Sequence, residues 1–387
     1  MFCIKQISFY AFFNSCFINN IIDKEDEKMA TEFKRIGILT AGGDAPGMNA
    51  AIRSITRAAI DKGVEVMGIY RGFKGLVQNP DENVKELKMR DVSNIINKGG
   101  TMLWTARYDD FIYEANQKAA ADTCRRLGID GVIAIGGDGT FRGAVALANQ
   151  GIPTIAIPAT IDNDIISTDY TIGFDTAVNT TIEMVDRLRD TCESHARCNV
   201  VEVMGRGCGD IALYAGLSTG ATIILIDEIK FNENDIFKRI KKYKEKGKRN
   251  FIIMASENVG AKYCEYLAEK IEKKTGIETK FARLAHVVRG GSPTLRDRLL
   301  GATMGVKAVD ELLAGKSNIV ICELDDKIEA IDIEFALAEY RLHKKKTTRE
   351  ELSATFSEEQ IEAMEARCLE ARTKMETLYK MAEDISK

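Results

Sequence analysis

The chain is poor in the residues that build metal cages and covalent scaffolds. Three histidines (His195, His286 and His343) in 387 residues argue against a histidine-built metal site. The nine cysteines are odd in number and form no CxxC pair, so neither a zinc ribbon nor a disulfide framework is indicated. They read as reduced thiols of a cytoplasmic protein. Basic charge is not in excess, the formal net charge being −4, so extended nucleic-acid binding is not implied. The Phe-rich stretch Met1–Ile22 has no small-x-small cleavage site. Gln6, Asn14, Ser15, Asn19 and Asn20 interrupt it too often for a membrane span. Residues 1–32 are read as a leader outside the fold, with the working protein starting near Met29; an interfacial anchor is the alternative. A composition of 45% hydrophobic and 29% charged residues suits a soluble globular chain of about two domains.

What is present is a series of apolar runs, each ending in glycine or acid. Arg35–Thr40 reads as a strand, followed by GGDAPG at Gly42–Gly47 and helical spacing from Met48 to Lys62. Strand, glycine turn and helix present backbone N–H groups to phosphate. The turn is neither a Walker loop nor GxGxxG, and a tight turn needing positive φ is the alternative. Arg53 and Arg57 share one face of that helix, as an anion site or a solvated surface. Val64–Tyr70 reads as a second strand and Met89–Asn97 as a short helix. The loop Thr101–Tyr108 sets Arg107 beside an aromatic ring, suited to a nucleotide or to packing Trp104. Gly131–Ile135 runs into GGDGT at Gly136–Thr140, where three glycines leave one carboxylate, Asp138. Backbone donors for an oligophosphate and one acid for Mg²⁺ are what phosphoryl transfer needs.

The apolar run Ile152–Ile157 ends in PATIDND, Pro158–Asp164, either an acidic turn or a base held at the carboxyl end of a sheet. Asn199–Val203 ends in MGRGCGD, Met204–Asp210, with Arg206 inside the turn. Thr222–Ile226, Phe251–Ala255 and Lys280–Val288 read as further strands, with Asp227 or Glu228, Glu257 and His286 at their ends. A second series of strand, turn and helix begins near residue 173, which places a domain change there. Arg289 and the paired glycines after it form another anion-binding turn, while Asp297 and Arg298 read as packing and surface charge. Ile319–Cys322 reads as the last strand. Ser357–Ile385 reads as a long charged helix with a Ser357–Gln360 capping box. Its stripe is Ile361, Met364, Leu369, Met375, Leu378 and Met381, expected to pack on the body rather than on a partner.

Taken together, GGDAPGMNAAIR, GGDGT, TIDNDI, DRLRDT, VEVMGR and HVVRGGSP resemble the ATP-dependent 6-phosphofructokinases of the bacterial type, in family order from about Arg35 to Leu337. The resemblance implies two Rossmann-like three-layer α/β/α domains with the active site in the cleft between them. It implies residues 33–172 and 287–337 for the ATP-binding domain, 173–286 and 338–350 for the sugar-phosphate domain, and 351–387 as a helical extension. The implied reaction moves a phosphoryl group from MgATP to the 1-hydroxyl of fructose 6-phosphate. Gly43, Arg107, Tyr108, Gly137, Asp138, Gly139 and Thr140 are implied for ATP, with Asp138 on the Mg²⁺ side. Asp162 is implied as base, Thr160 and Arg206 as stabilisers of the moving phosphoryl group, and Asp164 as support. Arg197, Met204, Gly205, Glu257, Lys280, His286 and Arg289 are implied for the sugar phosphate, with Arg197 and Lys280 reaching the site of a neighbouring subunit in a homotetramer.

Departures from the family pattern sharpen these expectations. Gly139 stands where pyrophosphate-using relatives carry Asp, which favours ATP, and Ala159 adds a methyl where the ATP enzymes carry Gly. Lys280 replaces an Arg and loses its fork geometry, so weaker sugar-phosphate binding is expected unless Arg283 compensates. Arg53, Arg57, Arg189, Lys246 and Lys248 match a pocket for a phosphate-bearing effector, whose usual Glu is Thr222 here. The alternatives are a pyrophosphate-dependent or other-acceptor kinase and a regulatory paralogue. No nucleic-acid or membrane partner is expected.

Overall fold

Apolar runs of five or six residues without alternation form strands covered on both faces, as in parallel sheets. In the computed structural model, which describes residues 33–386, such runs build two sheets. The first holds β1 (Arg35–Ala41), β2 (Glu65–Ile69), β3 (Val84–Leu87), β4 (Gly131–Gly136), β5 (Thr154–Pro158), β10 (Ile319–Leu324) and β11 (Lys327–Asp332) in the order β11-β10-β5-β4-β1-β2-β3. The second holds β6 (Cys198–Val203), β7 (Ile223–Leu225), β8 (Phe251–Ser256) and β9 (Thr279–Arg283) in the order β7-β8-β6-β9. Pairing is parallel except at β3 and β11, which close the two edges of the large sheet antiparallel. The expectations for residues 1–32 lie outside the described residues.

This strand order explains where a ligand belongs. From β1 the chain builds outward through β2 and β3, then restarts on the other side of β1 with β4, β5 and β10. The gap between β1 and β4 is a topological switch point, and crevices for ligands open at the carboxyl ends of such strands. Ala41 pairs with Gly136 and Gly136 with Pro158, so the turns after β1, β4 and β5 lie side by side. In the small sheet Val203 pairs with Ser256, which sets the Met204–Arg206 turn next to Glu257.

The main helices are α1 (Met48–Asp61), α2 (Glu114–Arg126), α3 (Asp138–Ala148), α4 (Phe174–His195), α5 (Asp210–Ser218), α6 (Glu233–Glu245), α7 (Tyr263–Thr275), α8 (Leu295–Leu313), α9 (Ile333–His343) and α10 (Glu358–Ile385). Helices α1 and α8 approach closely because Gly301 and Gly305 face α1. A Cβ at Gly305 would lie 2.0 Å from Ser54 Oγ, and one at Gly301 3.0 Å from Gly47 O. Phe141, Phe174 and Phe251 are fully buried, each worth about 3–5 kcal/mol against truncation to Ala.

Several expectations change here. Met89–Asn97 is a run of turns, not a helix. Val92 and Ile95 are buried at helical spacing, but Asp91 Oδ2 accepts from Lys88 N at 2.8 Å and diverts the backbone into a turn. The strand expected over Lys280–Val288 ends at Arg283, and Ala285–Arg289 is a 3₁₀ turn with Ala285 at φ 44°. Ile319–Cys322 is not the last strand, because Asp325 and Asp326 (φ 51° and 60°) turn the chain back as β11. Asp297 is a buried carboxylate rather than surface charge: it accepts from Gly173 N and Thr176 N, each at 2.8 Å, and so holds the start of α4. Burial, against those hydrogen bonds, pushes its pKa up to about 6. The Ser357–Gln360 capping box is present and α10 packs on the body through Ile361, Met364, Cys368 and Ala382, while Leu369 and Met381 of the expected stripe are exposed. The seven cysteines among the described residues are free and buried.

Candidate active site

The PATIDND stretch is held by its own side chains. Thr171 Oγ1 donates to Thr160 O at 2.6 Å, and Asn163 Oδ1 accepts from Thr171 N at 3.0 Å. Asn163 takes φ 52°, a region Asn tolerates, and its Nδ2 donates to Asp210 Oδ2 at 3.0 Å. That bond ties the turn after β5 to the start of α5, so one Asn joins the loops of the two sheets.

Asp162 is buried, and its two oxygens differ. Oδ2 accepts from Thr160 Oγ1 at 3.3 Å, while Oδ1 has no hydrogen-bond partner among the described residues. Burial raises its pKa, while Arg289, the Thr160 hydroxyl and Arg206 pull it down and Glu257 pushes it up again. Asp164 is pushed up to about 6 by burial and by Asp162, with Lys344 and Arg206 opposing and Asp138 adding to the rise. Thus Asp138, Asp162 and Asp164 lie within electrostatic reach of a cluster that includes Arg206, Arg289 and Lys344.

The glycine turn after β4 forms the facing wall. Thr140 Oγ1 donates to Ala41 O at 3.0 Å, locking the turns after β1 and β4 together. A Cβ at Gly139 would meet nothing nearer than Arg142 Nη2 at 3.9 Å, and one at Gly137 nothing nearer than Thr160 Cβ at 3.9 Å. Packing therefore does not require glycine at 137 or 139; the bare backbone faces open space at the N-terminus of α3, where anions bind. Asp138, at that N-terminus, pairs with Arg142 at 2.8 Å and lies 4.0 Å from Arg206 Nη1. One carboxylate beside a glycine turn at a helix N-terminus fits Mg²⁺, which takes one or two carboxylates plus substrate phosphates. The loop carrying Arg107 and Tyr108 is fastened to the first glycine turn, since Thr105 Oγ1 donates to Gly42 O at 2.7 Å. Trp104 is 61% exposed, so this loop is not built to bury it.

The other wall comes from the small sheet. Glu257 Oε1 accepts from Gly205 N at 3.2 Å and Arg206 N at 3.1 Å, fixing the MGR turn. Arg206 sits at φ 45°. Arg289 Nη1 donates to Asp44 O at 3.1 Å, and a Cβ at Gly43 would lie 2.5 Å from that nitrogen. Met204 is half-buried, and His286 is exposed on the turn before Arg289.

Arg197 and Lys280 are elsewhere. Both stand at the amino end of the small sheet, where Asn199 pairs with Lys280. Arg197 Nε meets Glu278 Oε2 at 2.6 Å and Lys280 Nζ meets Glu278 Oε1 at 3.0 Å. The six residues of β6 separate Arg197 from Met204, a span of ~20 Å. Arg283 is engaged by buried Glu202 at 2.5 Å and, three residues from Lys280, points to the opposite face. Of the effector candidates, Arg189 Nη1 donates to Asn250 Oδ1 at 3.1 Å and Lys248 Nζ to Ser386 O at 3.3 Å. Burial, then Arg189 and Arg239, depress the Lys248 pKa. Arg53 and Arg57 stand on α1, Lys246 caps α6, and Thr222 is buried. Ala159 is 1% exposed, so its methyl belongs to the core. Lys344 has no motif around it in the sequence; it meets Gly207 O, 137 residues away, and acts on Asp164 through its charge.

Two glycine turns at a switch point, one acid beside them and a buried carboxylate facing arginines define a site of the phosphotransferase class. A family model described as phosphofructokinase matches residues 35–312. The chain is 48% identical over 305 residues to the ATP-dependent 6-phosphofructokinase of Clostridium novyi, covering 79% of this chain and 94% of that protein. It is 50% identical to the protein of the same name from Clostridium tetani over the same shares. Among solved structures, phosphofructokinase from Saccharomyces cerevisiae superposes with TM-score 0.79 at 28% identity. That likeness covers 90% of this chain, which spans about half (49%) of the yeast chain. The chain belongs to the phosphofructokinase family, and its two sheets agree with that family's two-domain α/β fold. Among the described residues no helix is long and apolar enough to cross a membrane.

Proposed function

We propose that the chain transfers the γ-phosphoryl group of ATP to the 1-hydroxyl of fructose 6-phosphate, giving fructose 1,6-bisphosphate and ADP, as its curated relatives' names imply. The observation that carries this is Asp162, a buried carboxylate with one oxygen held by Thr160 and the other without a partner. Oδ1 takes the proton of the 1-hydroxyl as the hydroxyl oxygen bonds to the γ-phosphorus, and the bond from that phosphorus to the β–γ bridging oxygen breaks to release ADP. A base with a raised pKa accepts the proton more strongly, and Arg289, Thr160 and Arg206 work against that rise. Thr160 and Arg206 stabilise charge on the moving group.

Gly43, Arg107, Tyr108 and Gly137–Thr140 hold the nucleotide. Asp138, supported by Asp164, would hold Mg²⁺, which neutralises charge on the β- and γ-phosphates when bound. The open space at Gly139 leaves room for the α-phosphate and supports ATP over pyrophosphate. Met204, Gly205, Arg206, Glu257, His286 and Arg289 receive the sugar phosphate from the carboxyl end of the small sheet. Arg197 and Lys280, ~20 Å away along β6, serve the site of a neighbouring subunit, which makes the working form a homotetramer with shared sites. Arg53, Arg57, Arg189, Lys246 and Lys248 bind a phosphate-bearing effector. Residues 33–172 with 287–337 form the ATP-binding domain and 173–286 with 338–350 the sugar-phosphate domain, and the enzyme works in the cytoplasm. A coupled assay with ATP or pyrophosphate tests the reading. Turnover with ATP, fructose 6-phosphate and Mg²⁺ is expected; its absence in folded, oligomeric protein contradicts the proposal.

A further inference from the structure

The chain continues past residue 312, where the family model ends, and this continuation touches both catalytic turns. Lys344, just after α9, donates from Nζ to Gly207 O at 2.6 Å. Gly207 follows Arg206, and the two take φ 82° and 45° in succession. A non-glycine residue in that region persists only where its surroundings fix it. Glu257 holds the amides of this turn and Lys344 holds a carbonyl, so the turn is gripped from two sides.

The second contact is made by α10. Arg367 donates from Nε to Ile166 O at 2.8 Å and from Nη2 to Asp169 Oδ1 at 3.3 Å. Ile166 lies two residues beyond Asp164 in the loop that continues PATIDND. Asp169 is also fastened on its other oxygen, which accepts from Asp325 N at 2.8 Å. The planar guanidinium addresses a carbonyl and a carboxylate together, a geometry Lys does not reproduce. The far end of α10 is docked separately: Arg239 Nη1 meets Glu383 Oε1 at 3.0 Å, and Tyr379 OH donates to Ile224 O at 3.1 Å. With 28 residues α10 is about 42 Å long, so its two ends report on different parts of the molecule.

We propose that Lys344 and Arg367 are positioning residues for phosphoryl transfer: Lys344 aims the Arg206 turn and Arg367 fixes the loop that follows Asp162 and Asp164. Neither touches substrate; each acts through backbone it holds. The proposal rests on the kinase reading given above. Misplacing a stabilising group by 1 Å costs about 100-fold in rate, so the loss belongs in kcat rather than in KM.

The test compares Lys344→Met, Lys344→Arg, Arg367→Ala, Arg367→Lys and, as a control on the distant end of the same helix, Arg239→Ala. The expected result for Lys344→Met and Arg367→Ala is a kcat about 10- to 100-fold below the parent, with KM for ATP and fructose 6-phosphate within about twofold. Lys344→Arg restores most of the rate and Arg367→Lys only part. Hydrogen exchange, read without turnover, speeds up at residues 204–208 in Lys344→Met and at 165–169 in Arg367→Ala, and in neither segment for Arg239→Ala. Rates within twofold of the parent overturn the proposal, as do equal losses in Arg239→Ala. A parent enzyme without kinase activity contradicts the kinase reading instead, while the exchange result still decides whether the two residues hold these turns.

Discussion

The two ends of the small sheet are built on opposite plans. At the carboxyl end, polar side chains are aimed by backbone: Glu257 grips the amides of Gly205 and Arg206, and Arg289 reaches Asp44 O. At the amino end, Arg197 and Lys280 flank one exposed acid, Glu278. Hydrogen bonds from Arg197 and then Lys280 hold that carboxyl below its usual range. The first plan fixes geometry, which chemistry needs. The second stores two cations on an exchangeable counter-charge, which suits capture of an anionic group arriving from another molecule. The contrast teaches that, in the proposed reaction, pre-organisation goes to the reacting centre, while the proposed phosphate handle at Arg197 and Lys280 is left adaptable.

The comparison can be broken at either end. The largest effect is expected from Asp162→Asn, which removes the proposed base: kcat falls ~10³-fold while nucleotide binding, read by calorimetry, persists. Near-normal turnover would show that another group takes the proton. At the amino end Arg197→Ala should raise KM for fructose 6-phosphate ~10- to 100-fold, the worth of one charged hydrogen bond, with kcat nearly unchanged. A matching fall in kcat would erase the distinction between the ends. Lys280→Arg restores the fork and should lower that KM about threefold. A smaller effect concerns pH. As the proposed base, Asp162 acts in its ionised form, and its pKa is raised, so kcat/KM is expected to fall as pH drops through a value above the ordinary aspartate range. Arg289 is the leading influence holding that pKa down, so Arg289→Met moves the acid limb to higher pH. A limb that stays put or moves to lower pH would remove Arg289 from this role.

Much of this plan was legible in the chain because strand ends and glycine turns are local signals. GGDGT, TIDND and MGR each follow an apolar run; the register of β4 and β5 sets the first two side by side, and Arg206 of the third lies 4.0 Å from Asp138. What escaped was non-local or masked. Hairpin β10–β11 turns on Asp325–Asp326, without the glycine that announces such turns. Val92 and Ile95 carry helical spacing in a segment whose backbone is satisfied by side-chain turns. Asp297 caps a helix more than 120 residues earlier, and Lys344 meets a turn 137 residues away. Neither has a pattern in its own neighbourhood. Arg283, the expected substitute for Lys280, is engaged by Glu202 on the neighbouring strand, a pairing that no local pattern announces.

The proposed division of each site between the two ends of β6, and so between subunits, is tested most directly by complementation. Asp162→Asn and Arg197→Ala chains are made separately, each assayed at low fructose 6-phosphate, and then co-refolded and assayed again. If Arg197 serves a neighbour's Asp162, some hybrid sites draw both native residues from different chains, and activity returns well above the sum of the two parents. Activity that stays at that sum in confirmed hybrid oligomers would contradict it, placing Arg197 and Asp162 in the service of the same chain's site.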